Sequence, residues 1–116
     1  MFMIVNRGST FYGKITLTND SGIPVQLSDD DCLIFCVKKD YEKNNSPNIL
    51  IRKSLYPYDE LDGSYTFMLT AEDTDIPAGT YYYDIALQCG NGEFYQIINT
   101  DEFIIKESVS RKEDAI

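Results

Sequence analysis

The sequence predicts an all-β chain folded as an antiparallel sandwich, and three observations carry that prediction. Apolar residues recur with a period of two nearly everywhere. Clusters of Gly, Asn, Asp, Ser and Pro interrupt them at spacings of roughly 8 to 12 residues. No segment shows the 3.6-residue period of a helix. At 116 residues the chain has the size of one domain able to close its own core.

The elements follow in order. The start "MFMIVNRGST" holds a short apolar run with no basic region before it, so neither a signal peptide nor a membrane anchor is expected. From Phe11 to Thr18 the residues Phe11, Ile15 and Leu17 alternate with Lys14, Thr16 and Thr18, the pattern of a half-buried strand. "NDSG" is a turn, and the short segment "IPVQL" leads to the polar "SDDD". "CLIFCVKK" puts Leu33, Phe35 and Val37 on one face and Cys32, Ile34 and Cys36 on the other, and two apolar faces mark a central strand. "DYEKNNSPN" reads as a loop, "ILIRKSL" as a strand with Ile49 and Ile51 on one side, and "LYPYDELDG" as an irregular connection. "SYTFMLT" alternates, with Tyr65, Phe67 and Leu69 inward and Ser64, Thr66, Met68 and Thr70 outward. The tyrosine strand sends Tyr81, Tyr83, Ile85 and Leu87 to one face and Tyr82, Asp84, Ala86 and Gln88 to the other. "CGNGE" is a tight hairpin. The last strand, Phe94 to Lys106, breaks its alternation near "NTDE", where a bulge is expected before Phe103 and Ile105 turn inward.

The stretch "TAEDTDIPAGTYYYDIAL" narrows the fold. Thr70 and Asp73 are spaced to cap a single helical turn that Pro77 stops. In immunoglobulin-like sandwiches a tyrosine just after the crossing between sheets bonds back to upstream backbone. Tyr81 fits that corner position, with backbone near Asp73 to Ile76 as its expected partner, and Tyr83 falls where antibody domains place the second disulfide cysteine. The expectation is an immunoglobulin-like antiparallel β-sandwich of about seven strands over residues 1–106, with a frayed tail at 107–116.

The same residues specify no chemistry. Histidine is absent, which removes the commonest general base and metal ligand. Cys32, Cys36 and Cys89 lack zinc-site spacing, and the glycines form no phosphate-binding loop. Cys32 and Cys36 on one strand lie roughly 13 Å apart and cannot bridge each other. A Cys89 bridge to either stays open, with free buried thiols preferred. Asp29, Asp30 and Asp31, and Glu72, Asp73 and Asp75, read as turn residues ahead of calcium ligands or an acid-base pair. With 19 acidic against 10 basic side chains the net charge is -9, which repels phosphate backbones and argues against nucleic acid as a ligand. No catalytic, cofactor-binding or metal-binding residue is expected, and the chain does not read as an enzyme. Tyr56, Tyr58 and Tyr82 are candidates for a sugar-stacking platform, the alternative being packing under the protein's own loops. The face of Cys32, Ile34 and Cys36 is either buried or an assembly surface.

From Asn6 to Lys106 the segments "NRGSTFYGKITLTNDSGIPVQLSDDDCLIFCVKK", "GSYTFMLTAEDTDIPAGTYYYDIAL" and "NGEFYQIINTDEFIIKE" together resemble the small immunoglobulin-like structural proteins of Gram-positive phage and prophage tails and baseplates. They are similar to the N-terminal domain of phage baseplate upper proteins, and "TAEDTDIPAGTYYYDI" is the most specific part. The resemblance implies a non-enzymatic virion module acting through protein–protein contacts with other virion proteins or with itself. It also implies the bacterial cytoplasm before assembly and the virion afterwards, with no cofactor, nucleic acid or membrane. The alternative is a carbohydrate-binding or adhesin-like sandwich.

Overall fold

The computed structural model describes residues 3–39, 49–59 and 62–110. Among the described residues eight strands form two sheets: β1 (Met3–Asn6), β2 (Phe11–Thr16), β3 (Cys32–Lys38), β4 (Ile49–Ser54), β5 (Tyr56–Asp59), β6 (Ser64–Leu69), β7 (Gly79–Gln88) and β8 (Phe94–Lys106). One sheet has the order β1-β8-β7-β3-β4 and the other β2-β6-β5. All pairings are antiparallel except β1 with β8, which is parallel. With β3, β7 and β8 in the places of strands C, F and G, and β2, β6 and β5 in those of B, E and D, the fold is an immunoglobulin-like β-sandwich.

The strand beyond the expected seven comes from the segment "LYPYDELDG", whose Tyr56–Asp59 portion pairs with β6 instead of forming an irregular connection. An edge strand tolerates Pro57 because nothing outside needs its missing N–H. Leu55, buried between β4 and β5, carries the chain from one sheet to the other and donates its N–H to the Leu33 carbonyl at 2.9 Å. "IPVQL" makes only a single bridge, Thr18 with Pro24. The "NDSG" turn is held by the Asn19 side chain, whose Oδ1 accepts from the Ser21 and Ile23 amides. The expected loop at 40–48 and residues 111–116 of the tail expected at 107–116 lie outside the described residues, and 107–110 form no strand.

Alternation works as the sequence implies. Leu33, Phe35 and Val37 of β3, Phe67 and Leu69 of β6, Tyr81, Tyr83 and Ile85 of β7, and Phe103 and Ile105 of β8 fill the core. Phe35 is its centre: the Phe67 ring stacks on it at 4.3 Å, and Tyr83 and Phe103 approach at 5.8 and 6.1 Å. These rings occupy the level where antibody domains place a tryptophan against a disulfide. Across from them β2 contributes Gly13, between inward-facing Phe11 and Ile15, and a Cβ there would come within 2.2 Å of the Phe67 ring. Ser64 is buried despite its outward register, because its hydroxyl and N–H both donate to Asp62 Oδ1.

The corner forms as expected with one correction. Tyr81 is buried and its hydroxyl donates to the Pro77 carbonyl at 2.6 Å, one residue past the predicted stretch. Thr70 and Asp73 cap the 71–74 turn reciprocally: Asp73 Oδ2 accepts from the Thr70 amide at 2.8 Å, and Thr70 Oγ1 from the Asp73 amide at 3.1 Å.

Candidate functional site

The carboxylate-rich turns are spent on local donors. Asp31 accepts from the Ser28 amide and hydroxyl and, across the loop pair, from the Gly90 amide at 3.1 Å, and these bonds, the Ser28 amide foremost, hold its pKa below the usual range. For Asp73, burial pushes the pKa up, but the Lys53 ammonium at 2.9 Å and the Thr70 donors outweigh it and leave the net shift downward. Asp75 accepts from Arg7 Nε at 3.0 Å, and Arg7 also reaches Glu107 at 3.2 Å. Among the described residues no group of three or more carboxylate or cysteine side chains is placed to hold a metal ion.

The three candidate stacking tyrosines do not share a face. Tyr56 and Tyr58 stand outward on β5, each 67% exposed, with Lys14 Nζ 4.4 Å from the Tyr58 ring centre. Tyr82 lies on the outer face of the five-stranded sheet, on the opposite side of the sandwich. No platform unites the three. The cysteines are free and half-buried, and Ile34 between Cys32 and Cys36 is only 8% exposed on that outer face.

The strand edges are uneven. β1 covers β8 only from Phe103 to Lys106, so the final strand is interior there and β1 is the edge. Over Phe94–Thr100 β8 pairs with β7 on one side and with no described strand on the other. This "FYQIINT" segment carries no charge, and Phe94 and Tyr95 are 58% and 47% exposed. Two bulges occur along β8: the expected one at "NTDE", where the register passes from Tyr83 opposite Asp101 to Ile85 opposite Ile98, and a second, not signalled by the sequence, where it passes to Ala86 opposite Gln96.

The first bulge leaves Asp84 without a register partner on β8 and opens a depression of about 220 Å³ on the outer face, lined by Cys36, Lys38, Tyr82, Asp84, Gln96 and Thr100. Asp84 is half-buried and forms no hydrogen bond or ion pair among the described residues. Burial pushes its pKa up, with Lys38 pulling the other way. Burial also raises the pKa of neighbouring Cys36, and Asp84 adds to that effect against Arg52 and Lys38. In the sequence Asp84 is an ordinary outward residue of an alternating strand. What distinguishes it is the bulge on another strand, and no local pattern couples the two.

No family model matches the chain, and no curated relative does. Among solved structures it is similar to a chain described under "Structure-based site-directed photo-crosslinking analyses of multimeric cell-adhesive interactions of VGSC beta subunits", at 11% identity and a TM-score of 0.39 over 95% of this chain and 93% of that one. The immunoglobulin-like assignment rests on strand order and the tyrosine corner rather than on that likeness.

Proposed function

We propose that this chain is a non-enzymatic structural or assembly module of a phage or prophage virion, in the tail or baseplate, working through contacts with other virion proteins or further copies of itself. The sequence resemblance over Asn6 to Lys106 supplies the setting. The observation that carries the contact mode is the uncharged edge of β8 over Phe94–Thr100, which pairs with no described strand on its outer side and carries two exposed aromatics. In a chain of net charge -9, an uncharged stretch of strand edge is where another strand docks with least repulsion.

Two measurements test the reading. Mass spectrometry of purified particles from a producing strain is expected to find the chain at a fixed ratio to the tail proteins, and its absence from the particles refutes the virion assignment. Light scattering after size exclusion, alone and with lysate-purified tail assemblies, is expected to show association that Phe94→Lys, at an exposed edge position, abolishes while the thermal midpoint stays near wild type. Unchanged association in Phe94→Lys refutes the edge as the contact.

A further inference from the structure

We propose that the depression beside Asp84 receives an arginine side chain from a protein partner, an inference that rests on the contact function above and names the chemistry of the contact. The bulge between Tyr83 and Ile85 withdraws β8 from the side of Asp84, so a carboxylate in the middle of a sheet face, opposite Cys36 on β3, stands beside empty space on its β8 side. Bulges re-aim side chains next to sites in this manner. At about 220 Å³ the depression is below the roughly 300–1,000 Å³ of small-molecule sites and suits the head of one long side chain.

Its lining selects the head group. A half-buried carboxylate without a partner favours a cation that completes its hydrogen bonds. A guanidinium meets a carboxylate with two parallel N–H bonds and keeps donors for the side-chain oxygens of Gln96 and Thr100, while its flat face suits the Tyr82 ring at the wall. Two cations stand near: Lys38 on the rim, and Arg52 opposite Cys36 on β4. Neither forms an ion pair with Asp84. Gln96 and Thr100 lie on the strand whose far edge is open, and a strand added there runs about 9.6 Å from β7. An arginine extended over β8 spans most of that gap, and the Asp84 side chain meets it.

The test is a titration of ¹⁵N-labelled full-length protein with Nα-acetyl-arginine amide, followed by amide chemical shifts. The expected result is saturable shifts in the millimolar range confined to the surroundings of Asp84, Gln96 and Thr100, about tenfold or more weaker in Asp84→Asn and stronger in Lys38→Gln. The neutral citrulline amide is expected to produce none. Shifts spread over the acidic surface, or equal in Asp84→Asn, overturn the proposal. Equal binding of Nα-acetyl-lysine amide overturns the choice of arginine. A silent titration in a protein that still assembles defeats the pocket alone, whereas failure to assemble with the titration intact defeats the contact function alone.

Discussion

Replacing Gly13 by alanine tests whether the aromatic core, in place of a disulfide, organises this sandwich. A Cβ at Gly13 would lie 2.2 and 2.3 Å from two atoms of the Phe67 ring and 2.9 Å from a third. That ring is 3% exposed and is stacked on Phe35 at 4.3 Å, so it has little room to swing. Moving it costs on the order of 1–3 kcal/mol for overpacking and part of the roughly 0.5–1.5 kcal/mol of ring stacking. Against this stands about 0.4–1 kcal/mol gained from the lower chain entropy of alanine. The net expectation is a loss of about 1–2.5 kcal/mol, a fall of roughly 4–12 °C in Tm for a chain of this size. Thermal unfolding followed by circular dichroism reads it directly. Phe67→Leu alone also destabilises, but in Gly13→Ala/Phe67→Leu the smaller side chain leaves space for the methyl group. The double variant is therefore expected to be more stable than the sum of the singles by about 1 kcal/mol. A neutral or stabilising Gly13→Ala, or strict additivity, refutes the reasoning.

The remaining predictions concern bonds at the corner and the two carboxylates with opposite shifts. Tyr81→Phe removes the donor to Pro77 and is expected to cost about 1–2 kcal/mol, with Tyr12→Phe, exposed on β2, near zero in the same melt; equal losses sink the corner bond. Asp73 is held below its ordinary pKa, so its contribution is present above that value and is lost as pH falls through the folded one. Asp73→Asn is thus expected to cost about 0.5–1 kcal/mol at pH 7, the gap closing below about pH 4. Asp84 has the reverse sign: its raised pKa means stability falls as pH climbs from the ordinary carboxylate range through the folded value. Asp84→Asn is expected to be more stable by about 0.5 kcal/mol at pH 7, after discounting for solvent, and equal to wild type near pH 3. Destabilisation at pH 7 shows that the carboxylate is bonded after all.

Strands that face water on one side were the legible part of the fold, because burial imposes a period of two that a sequence displays. β3 and β7 were assigned residue by residue, and the bulge near "NTDE" was placed from the break in alternation. β5 is hidden in the sequence because Pro57 and its acidic neighbours have the composition of a turn, and an edge strand is where proline is harmless. Gly13 is legible, since glycine inside a strand marks close approach of a neighbour, here a phenylalanine ring. Asp84 carries no such signal, as its vacancy is made by the register of β8. Topology separates Tyr82 from Tyr56 and Tyr58, because alternation gives outward or inward but not which sheet.

The motifs behind the resemblance turn out to touch one another, and this decides what they inform. Arg7 of "NRGST" bonds Asp75 of "EDTD", the Gly8 amide donates to the Thr74 carbonyl at 3.3 Å, and the Thr74 hydroxyl donates to the Ser9 carbonyl at 2.7 Å. Gly8 takes a φ of 75°, which a side chain would resist, and Thr74 is fully buried. The two segments therefore lock the β1–β2 connection onto the tyrosine corner, and each needs the other's residues for its backbone to be satisfied. Residues fixed by that lock report the fold. The surfaces that would differ between modules of one architecture are elsewhere, on the β8 edge and beside Asp84, away from that lock. Contact specificity is expected to reside there, so exchanging the exposed Phe94, Tyr95, Gln96, Asn99 and Thr100, with the core-packed Ile97 and Ile98 kept, is predicted to change partner binding while leaving the corner and its Tyr81 bond intact. Loss of the fold on that exchange would show that the edge is structural and would move the contact surface to another face.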